Sequence, residues 1–170
     1  MTTMTGIRIE PKNYTKLLWI GGGIILLDQL TKWIIMEMVT LHRTIPVIQG
    51  FFNITHVQNP GGAFGFLATQ SDTVRAVIFL FVSSLALVVI FYFYLQTPEE
   101  THALLKSGFA LIFGGAVGNL VDRLRFGKVI DFLDFHVGQY HYPAFNVADS
   151  AICVGVFIFI LYVVFKKMPD

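Results

Sequence analysis

FNVADSAICVGVFIFILYVVF, residues 145–165, is a long apolar run with one acidic residue, Asp149, near its start. A run of about 20 apolar residues is long enough to cross a bilayer as a helix. A carboxylate close to hydrocarbon is energetically unfavourable, so an ionisable residue there usually has a function and a partner. This stretch therefore predicts a membrane-spanning helix with a reactive carboxyl group, that of Asp149, near its N-terminal end.

Three further apolar runs have a comparable length. Hydrophobic residues make up 55% of the 170 residues and charged residues only 14%, whereas a soluble domain carries about 25% charged residues. We therefore predict an all-α membrane protein, a single domain over residues 1–170 with residues 1–16 as a cytoplasmic tail. The four predicted transmembrane helices cover residues 17–36, 74–95, 104–121 and 149–165.

Four spans place both termini on one side of the membrane. The two long connections, residues 37–73 and 122–148, must then share the opposite side. Lysine and arginine next to a span favour the cytoplasm, so we expect both termini to be cytoplasmic and both connections to be extracytoplasmic. The basic residues that carry this prediction are Arg8, Lys12, Lys16, Lys166 and Lys167.

The two outer connections differ in composition. Residues 45–58 are rich in β-branched and aromatic side chains, with Pro46 and Gly50 as breaks, and they lead into a Gly-rich turn at 59–65. This pattern predicts one or two short strands, a small extracytoplasmic β-element. The second connection is aromatic and predicts an interfacial loop or helix. Its aromatic residues are Phe132, Phe135, Tyr140, Tyr142 and Phe145.

Asp131 and Asp149 are both flanked by apolar residues, and the topology brings both to the same outer interface. Two carboxylates that share a partly dry site do not both ionise readily, so the pair holds one proton. The ionised member then activates water and the protonated member donates to a carbonyl oxygen, as in aspartic proteases. Spacing alone leaves two alternatives open. Asp149 could cap a helix, and Asp131 could lie at the surface.

Other charged residues also lie in or beside the spans. Asp28 and Lys32 are four residues apart and therefore share a helical face. They form either a buried ion pair for packing or a pair close to the site. At the end of the third span, Asp122 is expected to form a local ion pair with Arg123 or Arg125, as structural support.

Several functional classes are disfavoured. A net charge of +1 argues against nucleic-acid binding, which needs a basic patch. No histidine pair has the His-Glu-x-x-His spacing of zinc peptidases, so no metal site is predicted. Cys153 is the single cysteine and is interpreted as a packing residue. The alternative to a protease is a small transporter or channel subunit, although polar residues concentrate at one membrane face, as an interfacial enzyme requires.

Four blocks in order resemble the bacterial lipoprotein signal peptidases (signal peptidase II), and the resemblance runs from about residue 19 to 165. The first two blocks are DQLTK at 28–32 and NPGGAFG at 59–65. The third is GNLVDR at 118–123, which leads to VIDF at 129–132, and the fourth is FNVADS at 145–150.

The resemblance implies an aspartic endopeptidase of the bacterial inner membrane, with its active site at the extracytoplasmic face and no cofactor. Its substrates would be diacylglyceryl-modified prolipoproteins, cut on the N-terminal side of the lipidated cysteine. Membrane lipid is the other expected partner, and a monomer is expected. The resemblance implies that Asp131 and Asp149 are catalytic. Supporting or substrate-binding roles are implied for Asp28, Lys32, Asn59, Asn119, Arg123 and Asn146.

Overall fold

The computed structural model describes residues 14–61, 70–98 and 102–166. Within these ranges, four helices are long and apolar enough to cross a membrane, which confirms the four predicted spans. The last one begins at Val147, slightly earlier than predicted. A π-helical turn, Leu17–Gly21, leads directly into α1 (Gly22–Met38), and the other helices are α2 (Asp72–Gln96), α3 (Ala103–Phe126) and α4 (Val147–Lys166).

Helix α3 lies at the centre of the bundle and packs against the other three helices. Glycines allow this close approach. A Cβ atom at Gly114 would lie 2.6 Å from the carbonyl oxygen of Gly21, and one at Gly115 would collide with the carbonyl oxygen of Ala148. Small residues let helix backbones approach each other in membranes, so these positions fix α3 against the segments that precede α1 and begin α4.

The two outer connections together form one antiparallel sheet. Its four strands lie in the order β1-β2-β3-β4, which confirms the small β-element predicted at 45–58. Because β2 and β3 come from different connections, their pairing also places both connections on the same side of the bundle. The strands are β1 (Thr44–Ile48), β2 (Phe52–Asn59), β3 (Val129–Val137) and β4 (Tyr140–His141).

The predicted aromatic interfacial loop or helix after α3 is wrong, because this connection forms β3 and β4. The predicted helix bundle therefore carries a larger sheet than the β-element expected at 45–58. The segment VIDFLDFHV forms β3, which pairs with β2 as its antiparallel neighbour. Ile130 and Phe132 pack against Ile35 and Val39 in a buried cluster, while Asp131 lies between them in sequence and points to the other face.

The chain then folds back beside β3. Phe145 forms an antiparallel bridge with Leu133, and its ring stacks on that of Phe135 with centroids 5.8 Å apart. This return brings the start of α4 next to the middle of β3. The predictions for Arg8, Lys12, Lys167 and the distal part of the Gly-rich turn fall outside the described residues.

Candidate active site

Asp131 lies in the first half of β3 and is 3% exposed. Both of its carboxylate oxygens accept hydrogen bonds from amides. Asn59 Nδ2 on β2 donates to Oδ2 at 3.0 Å, and Asn146 Nδ2 donates to Oδ1 at 2.7 Å. Burial, followed by the nearby charge of Asp149, raises the pKa of the Asp131 carboxyl from 3.8 to about 7. Asp131 is therefore a carboxyl group that holds a proton near neutral pH.

Asp149 lies in the first turn of α4. Its Oδ1 accepts a hydrogen bond from Asn119 Nδ2 at 2.7 Å, and its Oδ2 accepts one from the backbone N–H of Asn146 at 3.3 Å. Asn146 Oδ1 accepts in return from the N–H of Asp149 at 2.9 Å. This reciprocal pair is a capping box for α4. The N-cap role considered for Asp149 from the sequence belongs to Asn146 instead. Asp149 completes the box from within the first turn, and this contact fixes its carboxylate.

Asn146 connects the two aspartates. It is fully buried, and its side chain contacts Asp131 through Nδ2 and the backbone of Asp149 through Oδ1. Its Nδ2 also lies 3.2 Å from Asn119 Oδ1 and 3.2 Å from the carbonyl oxygen of Ile130. One amide group therefore joins β3 and α4 between Asp131 and Asp149.

Lys32 lies next to Asp131 and Asp149, at the centre of a buried network of hydrogen bonds and ion pairs. Its Nζ is 2.8 Å from Asp28 Oδ2, 2.8 Å from Asp122 Oδ2 and 3.0 Å from Asn119 Oδ1. The ion pair of Asp28 and Lys32 is thus both buried and close to the site. The prediction that Asp122 pairs with Arg123 or Arg125 is wrong, because α3 turns Asp122 toward the lysine of α1.

Both supporting carboxylates also bind backbone. Asp28 Oδ1 accepts from the N–H of Ala148 at 2.9 Å, and Asp122 Oδ2 accepts from the N–H of Ile130 at 3.1 Å. Gln29 was not predicted as a site residue, although it stands inside the first sequence block. Its Nε2 lies 2.9 Å from Asp122 Oδ1, 3.2 Å from Asp28 Oδ2 and 3.1 Å from the carbonyl oxygen of Gly118.

Arg123 lies at the outer end of α3 and reaches toward α2. Its Nη1 donates to Ser83 Oγ at 3.3 Å, and its guanidinium lies 5.6 Å from the ring centroid of Phe79. It is close enough to Asp149 and Asp131 to interact with both electrostatically. Arg123 therefore supplies positive charge beside the pair, at the edge of the network.

A small cavity opens next to Asp149. It has a volume of about 220 Å³ and is mostly apolar. On its lipid side, α4 exposes Cys153, followed by Phe157 one turn further along. The cavity therefore joins one carboxylate of the pair to the outer surface of the bundle. Its lining residues are Tyr142, Phe145, Asp149, Ser150 and Cys153.

Comparison with known proteins identifies the family of the chain. The sequence model of the family Signal peptidase (SPase) II matches residues 20–165. The chain belongs to the signal peptidase II family. A lipoprotein signal peptidase of Desulforapulum autotrophicum is 57% identical over 86% of this chain and 90% of its own length. The lipoprotein signal peptidase of Syntrophus aciditrophicus is 47% identical over 86% of this chain and 91% of its own.

A solved structure supports the fold of this signal peptidase II family member. A bacterial membrane enzyme determined by the in meso method at 2.3 Å resolution has a TM-score of 0.77 and 28% identity, covering 91% of this chain and 92% of its own. The chain is thus a multi-pass membrane aspartic peptidase. This result confirms the family inferred from the sequence blocks and selects the peptidase over the transporter or channel subunit.

Proposed function

We propose that this chain hydrolyses one peptide bond of a diacylglyceryl-modified prolipoprotein, on the N-terminal side of the lipidated cysteine, with Asp131 and Asp149 as the catalytic pair. The observation that carries this assignment is the amide group of Asn146, which bonds Asp131 at 2.7 Å and the N–H of Asp149 at 2.9 Å. Family membership supplies the reaction, and this bridge supports the choice of Asp131 and Asp149 among the carboxylates near the site.

In the first step, ionised Asp149 accepts a proton from a water molecule, whose oxygen attacks the carbonyl carbon of the scissile bond. Asp131 donates its proton to the carbonyl oxygen, and a tetrahedral diol forms. The raised pKa of Asp131, about 7, supports this order, since that carboxyl holds the shared proton. The amides of Asn59 and Asn146 keep its two oxygens oriented.

In the second step, the diol collapses and the bond between carbon and nitrogen breaks. Asp149 gives the proton that it took from water to the leaving amine of the cysteine. Asp131 takes a proton back from a diol hydroxyl as the new carboxyl group forms. The pair returns to its starting state with one proton on Asp131. Arg123 lies near both aspartates, and its positive charge offsets the negative charge of the pair throughout.

The lipid part of the substrate fits the cavity beside Asp149. The cavity is apolar and opens toward the lipid-facing side of α4, where Cys153 and Phe157 are exposed. An acyl chain placed here continues into the bilayer without leaving an apolar environment, so no methylene has to be exposed to water. We therefore assign the acyl chain of the modified cysteine to this cavity.

The orientation in the membrane follows from the same proposal. The active site lies at the extracytoplasmic face of the bacterial inner membrane, both termini are cytoplasmic, and the chain acts as a monomeric single domain. Reporter fusions at the C-terminus and in the loop between β1 and β2 test the orientation. A reporter that is active only in the cytoplasm is expected to work at the C-terminus alone. Activity in the β1–β2 loop would contradict the proposal.

The direct test is cleavage of a purified prolipoprotein with and without the diacylglyceryl group. The parent is expected to cut the modified precursor, and Asp131→Asn and Asp149→Asn are expected to lose activity by about 1000-fold or more. The matched control is Asp134→Asn, a carboxylate on the same strand that bonds Asn53 and His141 instead. This variant should keep parental activity.

Two results would contradict the proposal. Full cleavage by either folded aspartate variant would remove Asp131 and Asp149 as the pair. Equal rates on modified and unmodified precursors would remove the requirement for lipid and the role of the cavity.

A further inference from the structure

Gln29 and Lys32 lie on one face of α1, between two buried carboxylates. One carboxylate, Asp28, is on the same helix, and the other, Asp122, is on α3. Lys32 Nζ is 2.8 Å from an oxygen of each. Gln29 Nε2 is 3.2 Å from Asp28 and 2.9 Å from Asp122. Two donor groups on one helix thus bridge the same two acceptors.

Asp28 and Asp122 each accept a hydrogen bond from the backbone of a segment that carries a proposed catalytic aspartate. Asp122 accepts the backbone N–H of Ile130, and Asp28 accepts the backbone N–H of Ala148. Each of these N–H groups belongs to the residue directly before a proposed catalytic aspartate. The segments are far apart in sequence, one a strand and the other a helix start, yet both are held by one pair of donors on α1.

We infer that Gln29, Lys32, Asp28 and Asp122 form a positioning clamp that sets the separation and orientation of Asp131 and Asp149. The inference rests on the proposed function, since it takes those two aspartates as catalytic. In this proposal, the four clamp residues do not touch the substrate. They act through the backbone that carries the reacting groups.

The donor capacity of Lys32, at the centre of the clamp, is fully used. An ammonium group has three donors, and the three of Lys32 are directed at Asp28, Asp122 and Asn119. Asn119 in turn donates to Asp149 at 2.7 Å. Buried polar groups with all their partners present hold a unique arrangement, whereas a missing partner lets the arrangement shift. The clamp is therefore rigid, and it contacts a catalytic carboxylate through Asn119 as well as through backbone.

Gln29 gives the cleanest test, because it carries no charge. Gln29→Met keeps a long unbranched side chain and leaves the ion pairs of Lys32 intact, but it removes the neutral bridge between Asp28 and Asp122. A displacement of reacting groups by about 1 Å lowers rates by up to about 100-fold. We expect kcat to fall by about tenfold or more while KM stays within about twofold.

The pH profile separates positioning from simple stabilisation. Burial is the larger cause of the raised pKa of Asp131, and repulsion by Asp149 adds to it. If the aspartates move apart, the second contribution weakens and the pKa of Asp131 falls. The alkaline limb of the activity profile of Gln29→Met should then move to lower pH. A residue that only stabilises the fold would leave this limb in place. The charged groups that act on Asp131 in this network are Lys32 on α1, Arg123 on α3 and Asp149 on α4.

A second substitution and a control on α1 also test the clamp. Lys32→Arg preserves the positive charge but changes the distance between the two bound carboxylates, and it should also lower kcat by about tenfold or more. Thr31→Val is the control on the same turn of α1. Thr31 Oγ1 bonds the carbonyl oxygens of Leu27 and Asp28 within the helix, so this variant should keep the parental kcat and pH profile.

Parental kcat and pH profile in folded Gln29→Met or Lys32→Arg would overturn the clamp. That failure is distinct from failure of the proposed function, since Asp131→Asn and Asp149→Asn would still be inactive. Activity of those two aspartate variants would instead remove the proposed function itself.

Discussion

The two ends of the helix bundle use buried polar groups differently. At the outer end, Lys32 lies among carboxylates and amides that lead to both proposed catalytic aspartates. At the opposite end, Lys106 is equally buried, but it lies 5.0 Å from the ring centroid of Tyr94, beside a cluster of apolar side chains. The hydroxyl of Tyr94 accepts the N–H of Leu17 at 3.1 Å, which ties α2 to the start of the first span.

This difference shows that burial of a charged or polar residue does not by itself identify a site. The two ends differ in what the hydrogen-bond partners of the buried polar residues connect to. At the outer end, a chain of hydrogen bonds runs from α1 through Asn119 and Asn146 to the aspartates. At the other end, the contacts join one helix to the next. Substitutions at the outer end should therefore change catalysis, and those at the opposite end should change stability.

The largest effect is expected for Asn146→Ala at the outer end. The change removes the bridge between Asp131 and Asp149 and also one half of the capping box of α4. We expect kcat to fall by about 100-fold and the free energy of unfolding to fall by about 1 kcal/mol from the lost cap. Cleavage assays and thermal unfolding of the same preparation measure both. Parental kcat would show that the bridge is not needed.

The next effect concerns pH. The pKa of Asp131 is raised to about 7 by burial and by the charge of Asp149, so the pair loses its shared proton as the pH rises above about 7. We expect kcat/KM to fall by about tenfold per pH unit on this limb. A profile that stays flat up to pH 9 would contradict the assignment of the proton to Asp131.

The same pKa predicts a change in stability. Because the folded-state pKa lies above the ordinary value of 3.8, the folded chain holds a proton that the unfolded chain has already released between pH 4 and 7. The contribution of this carboxyl to stability is therefore largest below about pH 4 and is lost as the pH rises through about 7. In Asp131→Asn this component should be missing from the pH dependence of unfolding.

A smaller effect is expected at the rim of the site. Cys153→Trp should fill the cavity beside Asp149 and raise KM for the lipid-modified precursor by about tenfold, equal to about 1.4 kcal/mol of lost binding. Cys153→Ser is the matched control and should keep KM within about twofold. Equal KM values for the two variants would show that the acyl chain lies elsewhere.

The smallest catalytic effect belongs to the opposite end. Tyr94→Phe removes the hydroxyl that accepts the N–H of Leu17 and should cost about 1 kcal/mol of stability. The kcat of the folded enzyme should not change. A loss of kcat comparable to that of Asn146→Ala would contradict the claim that substitutions at this end change stability and not catalysis.

The spans and the proximity of Asp131 to Asp149 were predictable from the sequence for physical reasons. Hydropathy is a local property, so runs such as 145–165 identify spanning helices without tertiary information. Counting spans then placed Asp131 and Asp149 on one side of the membrane. Their identification within the family came from the four ordered sequence blocks, since spacing alone left capping and surface roles open.

The remaining features depend on contacts between distant residues. Asp122 was expected to pair with its neighbours in sequence, but its partner Lys32 is on another helix. Gln29 was missed because two of its three partners, Gly118 and Asp122, lie 89 and 93 positions away. The strand β3 was missed because aromatic residues suit a membrane interface as well as a sheet, and its pairing with β2 decides between them.

The most direct test of the account is the cleavage rate of Asp131→Asn, Asp149→Asn and the double variant on one lipid-modified precursor. Two residues that act as one unit give strongly non-additive losses. We predict that each single variant loses about 1000-fold or more and that the double variant is no slower than the worse single one. Losses that multiply in the double variant, or near-parental cleavage by either single variant, would contradict the claim that these aspartates form one catalytic pair.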